Sequence, residues 1–144
     1  MSENSEFDLA DFLPYALNRA AEASSRDFQR YYKAQYGMLR TEWRVIFHLG
    51  RYGDMTAKRI CDLAGLHKTK VSRAVAALEQ KRLLGREVLA DDRRHERLSL
   101  TKSGERVFAD LFEAAQSFDE RLASKFSHEE QQVLRRCLTK IAAL

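Results

Sequence analysis

From Leu9 to about Gln35, apolar residues return at steps of three and four: Leu9, Phe12, Leu13, Ala16, Leu17 and Ala20, then Phe28, Tyr31 and Tyr32. That spacing matches 3.6 residues per turn and predicts a long amphipathic helix. Pro14 marks the start of the regular helix, with Phe7 to Leu13 as a separate arm or turn. Gly37 ends the element. Thr41 is then expected to cap a helix carrying Trp43, Val45, Ile46, Phe47 and Leu49, stopped by Gly50 or Gly53.

Two closely spaced helices follow. Thr56 caps Ala57 to Ala64, with Ile60, Cys61, Leu63 and Ala64 expected inward, and Gly65 closes it. His67 to about Lys81 form the second, with Val71, Ala74, Val75 and Leu78 as its buried stripe. After Gly85 the period changes from helical to two. Val88 and Ala90 set against Leu98 and Leu100 predict a hairpin, with Asp91, Asp92, Arg93 and Arg94 at its tip. Thr101 caps a helix reaching Lys125, with Val107, Phe108, Leu111, Phe112, Ala115, Phe118 and Leu122 inward. The run Ser127, His128, Glu129, Glu130 is a capping box for a last helix striped by Val133, Leu134, Cys137, Leu138, Ile141 and Leu144. No repeat or linker divides the chain. The expectation is one domain over residues 1–144, mainly α with a small two- or three-stranded β-wing.

Composition agrees with a helical globular protein. The chain has 144 residues, 44% hydrophobic and 32% charged, with one proline, which excludes a disordered polymer and lets roughly two-thirds of the unfolded surface be buried. Net charge is only +4, so its distribution matters more than its sum. Residues 1–12 hold four acids, Glu3, Glu6, Asp8 and Asp11, and no base, whereas residues 66–106 hold eleven bases against six acids. A local basic excess is what phosphate binding requires. The acidic start is unlike a signal peptide, no apolar run is long enough to span a bilayer, and the two cysteines form no CxxC pair. A cytoplasmic protein with no membrane partner is expected.

Chemistry concentrates around Gly65. Cys61 lies four positions before it, Leu66 follows it, and Val71 and Ala74 come six and nine positions after it. This is helix-turn-helix spacing: the glycine permits the turn, small residues let the helices approach, and aliphatics close the wedge. Setting aside the buried stripe of the second helix leaves His67, Lys68, Thr69, Lys70, Ser72 and Arg73 near its N-terminus. All can donate hydrogen bonds, as a recognition helix entering the major groove of double-stranded DNA must. The basic hairpin adds a second contact of the kind that enters the minor groove. Together they make a winged helix-turn-helix.

Four stretches resemble the MarR family (multiple antibiotic resistance regulators): Glu42-Trp43-Arg44-Val45; Val71-Ser72-Arg73-Ala74-Val75 with Leu78-Glu79; Asp92-Arg93-Arg94; and Leu98-Ser99-Leu100-Thr101 followed by Gly104. The resemblance covers nearly the whole chain. It implies a winged lobe over residues 37–100, flanked by dimerisation helices at 7–36 and 102–144. It also implies an obligate homodimer that binds a pseudo-palindromic operator, a repressor in many relatives, with Arg94 in the minor groove and Asp92 bracing the wing turn. One departure stands out: where family wings often carry an earlier Asp-x-Arg, this chain has Leu89, Ala90 and Asp91. The wing therefore makes fewer contacts than usual or uses Arg93 or Arg86 instead. Apart from any resemblance, the apolar stripes of the flanking helices exceed what a lone winged helix needs and call for a partner.

Many relatives release DNA when a small aromatic or anionic compound binds between the dimerisation helices and the reading lobe. Tyr15, Arg19, Trp43 and Phe47 are the corresponding candidates here, against the plainer reading that they are core and surface residues. Cys61 reads as an inert packing thiol and Cys137 as part of the last helix's stripe. His48, His67, His95 and His128 lack metal-ligand spacing, and no cofactor is implied. No phosphate loop, nucleophile elbow or apolar carboxylate pair suggests an enzyme. The rival readings are an architectural or constitutive DNA-binding protein without effector, and a helical protein-interaction module. The donor-rich face argues against the second.

Overall fold

The computed structural model describes residues 7–89 and 92–143, with the backbone alone at 92–95. A 3-10 turn at Leu9–Asp11 leads into α1 (Leu13–Tyr36), and Pro14 sits in its first turn, where a missing N–H removes no helix bond. Then come α2 (Arg40–Tyr52), β1 (Met55–Thr56), α3 (Ala57–Ala64) and α4 (Lys68–Gln80), followed by β2 (Leu84–Leu89), β3 (Asp92–Leu100), α5 (Lys102–Ala123) and α6 (His128–Ala142). The fold is mainly α with a three-stranded antiparallel wing in the order β1-β3-β2.

Local chemistry explains most boundaries. Thr101 Oγ1 accepts from Gly104 N–H at 3.0 Å and donates to the Arg82 carbonyl at 2.8 Å, capping α5 while tying it to the end of α4. Ser127 and Glu130 form the reciprocal box that starts α6. One expectation about α2 needs correction, and of its two possible stops the second is the one used. Its N-cap is Leu39 rather than Thr41, because Glu42 Oε2 reaches back to accept the Leu39 N–H at 3.0 Å. Gly50 does not stop the helix. A Cβ there would lie 2.2 Å from Phe108 Cγ, so the glycine admits the α5 ring, and α2 continues to Gly53.

The wing register also differs from the sequence expectation. Leu84 faces Leu100, Arg86 faces Leu98, and Val88 faces Glu96 rather than an apolar partner. Val88 is accordingly exposed. The register shifts between Val88 and Leu89, and Asp92 to Arg94 belong to β3 rather than to a loop. Ala90 and Asp91, with Glu3, Glu6 and Leu144, lie outside the described residues.

The core lies within the winged lobe. Met38, Val45, Ile46, Ile60, Val71, Leu78, Leu84 and Leu98 are buried, joined by Tyr32 of α1 and Leu111 of α5. Phe28, Trp43, Phe47, Phe108 and Phe118 form an aromatic seam joining α1, α2 and α5, with neighbouring centroids between 5.0 and 5.8 Å apart. Leu63, expected inward, is exposed, because a two-turn helix packs one narrow stripe and Ile60 occupies it. Leu122, at the far end of α5, is also exposed. No residue of α6 is buried: Val133, Leu134, Leu138 and Ile141 remain 42–46% exposed.

Candidate nucleic-acid interface

Gly65, in the left-handed region at φ 64, turns the chain between α3 and α4, and Leu66 N–H bonds back to the Cys61 carbonyl at 3.2 Å. His67 then serves as the N-cap of α4, its Nδ1 accepting from Thr69 N–H at 3.1 Å. That ring nitrogen is thus committed to capping, and only the other can face a ligand. Val71, Ala74, Val75 and Leu78 are all buried, as their spacing predicts. Burying them turns Lys68, Thr69, Lys70, Ser72 and Arg73 outward, and all five are exposed.

The charges on this face have no internal balance. The first turn of α4 contains no acid, although a carboxylate there would favour the positive end of the helix dipole. Among the described residues, no carboxylate lies within salt-bridge distance of Lys68, Lys70 or Arg73. Exposed cations in the first turns of a helix, with no acid among them, make a surface suited to anions, phosphates included.

The wing is different. Arg86 was a contact candidate, but its guanidinium donates to Glu79 of α4 at 3.0 Å and to Glu96 of β3 at 3.1 Å. The bond to Glu96 leads the effects that raise its pKa. Two carboxylates thus balance its charge, and Arg86 braces the wing against α4 instead of presenting an unpaired cation. Arg97 pairs with Glu87 directly across the strands at 2.6 Å. The backbones of Asp92, Arg93 and Arg94 run along β3, and their side chains lie outside those described.

The four effector candidates are not brought together in one chain. Arg19 lies 6.0 Å from the Tyr15 ring on α1. Trp43 and Phe47 instead line a cleft of about 340 Å³ between α2 and α3, shared with Arg44, His48, Leu63 and Ala64. His48 Nδ1 donates to the Arg44 carbonyl at 2.7 Å, leaving its other nitrogen to accept. Arg44 and His48 were not among the effector candidates read from the sequence, although each follows an aromatic candidate by one residue along α2. Among the described residues, no group of three His, Cys, Asp or Glu could hold a metal ion. Among the same residues, no helix is long and apolar enough to cross a membrane.

Residues 36–95 match the MarR family model. A MarR/EmrR family transcriptional regulator from Acinetobacter sp. ADP1 superposes with a TM-score of 0.84 at 26% identity, covering 95% of this chain and 96% of that one. The fold and the reading lobe of the chain are thus similar to those of MarR-family transcriptional regulators. The same fold is seen in the S. aureus MepR–DNA complex, similar at TM-score 0.82 and 22% identity over 96% of this chain and 98% of that one. An uncharacterized HTH-type transcriptional regulator of Bacillus subtilis, YwaE, is 23% identical over 126 residues, 88% of this chain and 74% of its own length. The matched segment contains the glycine turn, the exposed α4 face and the wing as far as residue 95.

Proposed function

We propose that this regulator is a cytoplasmic repressor that binds a pseudo-palindromic operator as a homodimer. Residues 37–100 form the reading lobe, while 7–36 and 102–144 are the dimerisation helices. The observation that carries the reading is the α4 face: five exposed donors in the helix's first turns, with cations and no balancing acid. His67, Lys68, Thr69, Lys70, Ser72 and Arg73 enter the major groove N-terminus first. Arg93 and Arg94 take the minor groove, and Asp92 braces the turn between the strands. The uncovered stripe of α6 supports the dimer, since four large apolar side chains on each protomer, 42–46% exposed, leave water only when a partner covers them. Two-fold symmetry then spaces the half-sites about one turn of DNA apart.

Selection of bound duplexes from a random pool tests this directly. Arg73→Ala should cost about 1–3 kcal/mol against the selected site and relax one base position. Lys70→Ala should weaken all sequences alike and flatten the salt dependence by roughly one unit. If Arg73→Ala and Arg94→Ala both leave affinity for every duplex unchanged, the reading fails. Equal affinity for random and selected duplexes would favour an architectural protein.

Release by a small molecule is a second element of the proposal. Trp43 and Phe47 offer aromatic walls, and the Arg44 guanidinium a cation, in a cleft large enough for a single-ring acid. Tyr15 and Arg19 would join only through a partner chain. A panel of aromatic acids titrated against the operator complex should contain compounds that dissociate it, and Arg44→Met should blunt their effect.

A further inference from the structure

At one corner of the fold α1 ends, α4 ends and α2 begins, and a single ion pair serves all three. Glu42, in the first turn of α2, is only 4% exposed. Its Oε2 accepts from Leu39 N–H at 3.0 Å, and its Oε1 accepts from Lys81 Nζ at 2.8 Å. The same Nζ donates to the carbonyl of Gly37 at 2.9 Å. Lys81 is the C-cap of α4 and Gly37 the C-cap of α1. The cation therefore sits at the negative poles of two helices and the carboxylate at the positive pole of a third. From the other side, the Tyr36 hydroxyl donates to Asp110 of α5, as does Tyr31 at 2.8 Å. The Tyr36–Gly37 corner is thus held by α5 on one flank and by α4 on the other.

We propose that Lys81 is a positioning residue for DNA reading. Through the Gly37 carbonyl and Glu42 it sets the tilt of α4 against the α1–α5 frame, and with it the distance between the two reading faces of a dimer. This rests on the dimeric, operator-reading function proposed above. The 13 residues of α4 span about 20 Å, and its reading residues occupy the end opposite Lys81. A tilt of about 10° pivoted at Lys81 would carry that end roughly 3 Å, close to one base-pair step. The apolar stripe beneath α4 cannot hold such an angle as closely, because hydrophobic contact is non-directional. Charge-assisted bonds to a carbonyl and a carboxylate are directional. Replacing such a pair with apolar groups often leaves stability unharmed, which makes geometry the better account of its presence.

The test uses the full chain, the operator obtained by selection, and operators with one base pair added or removed between the half-sites. The double variant Glu42→Gln/Lys81→Met avoids stranding a buried carboxylate, and Lys81→Arg is the conservative control. Wild type should lose about tenfold or more in affinity when the spacing changes. The double variant should lose less than about threefold on the same change, with its salt dependence unaltered because no phosphate contact has gone. Lys81→Arg should restore the discrimination. Thermal melts establish that each variant folds, and if the double variant does not, Lys81→Gln, which can still donate a hydrogen bond, undergoes the same comparison. A folded Glu42→Gln/Lys81→Met or Lys81→Gln variant that discriminates spacing as wild type does overturns the inference alone, as does a salt slope reduced by about one unit, which would make Lys81 a phosphate contact. A wild type that selects no sequence removes the operator-reading function and this inference with it.

Discussion

Helices α4 and α6 carry similar apolar stripes, Val71, Ala74, Val75 and Leu78 against Val133, Leu134, Leu138 and Ile141, and the fold treats them in opposite ways. On α4 no stripe residue is more than 4% exposed, because α2, α3 and β2 pack over it; on α6 the least exposed stripe residue is at 42%. The helix starts are opposed as well. Glu129 and Glu130 lie in the first turn of α6, where they complement the dipole, while the first turn of α4 has no acid and carries Lys68 and Lys70. Each helix therefore has one feature that serves its own stability and one that does not. On α4 the unserved feature is a positive end, suited to an anion. On α6 it is an apolar face, suited to another apolar face.

The largest test of this contrast is Leu138→Glu. A charge placed in the proposed dimer interface should cost about 3–5 kcal/mol and give a monomer in sedimentation at micromolar concentration. A stable dimer would place the interface elsewhere. On α4 the corresponding truncation, Leu78→Ala, should cost about 2–5 kcal/mol in chemical denaturation with no change in subunit stoichiometry, because its stripe is already covered within the chain.

Smaller effects are expected at the helix starts. Ser127→Ala should cost about 1 kcal/mol by removing the α6 cap. The backbone N–H of Ser127, and after it the hydroxyl, holds the Glu130 carboxyl below its ordinary value of 4.5. A lowered carboxyl contributes stability above that value and loses it as pH falls through the folded one. Melts followed downward from neutral pH should therefore decline less steeply below about pH 4.5 in Glu130→Gln, which removes the carboxylate, than in wild type. The smallest expected stability change has the opposite sign: Lys68→Glu should stabilise the protein by about 0.3–1 kcal/mol through the α4 dipole while weakening duplex affinity. A variant that gains no stability, or that keeps its affinity, would remove the argument that this helix end is reserved for an anion.

Much of the fold could be read from local patterns. The α4 stripe, the Gly65 turn, the Thr101 cap and the Ser127 box depend on residues within a few positions of one another, and sequence spacing records such relations directly. Gly50 shows where this stops. Next to a plausible stop at Gly53 it reads as a breaker, and only the Phe108 ring, 58 residues away, shows that the missing Cβ makes room for packing. The wing register was misjudged for a similar reason, since alternation gives the period of a strand without saying which residue lies opposite which.

The candidate site divides in the same way. Which residues of α4 face outward follows from the buried stripe alone, so the sequence determined the exposed donor set from Lys68 to Arg73. Only the tertiary structure decided that Arg86 is occupied by Glu79 and Glu96, that Trp43 and Phe47 share a cleft with Arg44 and His48 rather than with Tyr15 and Arg19, and that Lys81 joins the ends of three helices. A helix face depends on angle, and angle is set by sequence position at about 100° per residue. An ion pair or a cleft depends on distance between elements, which the chain acquires only when those elements pack.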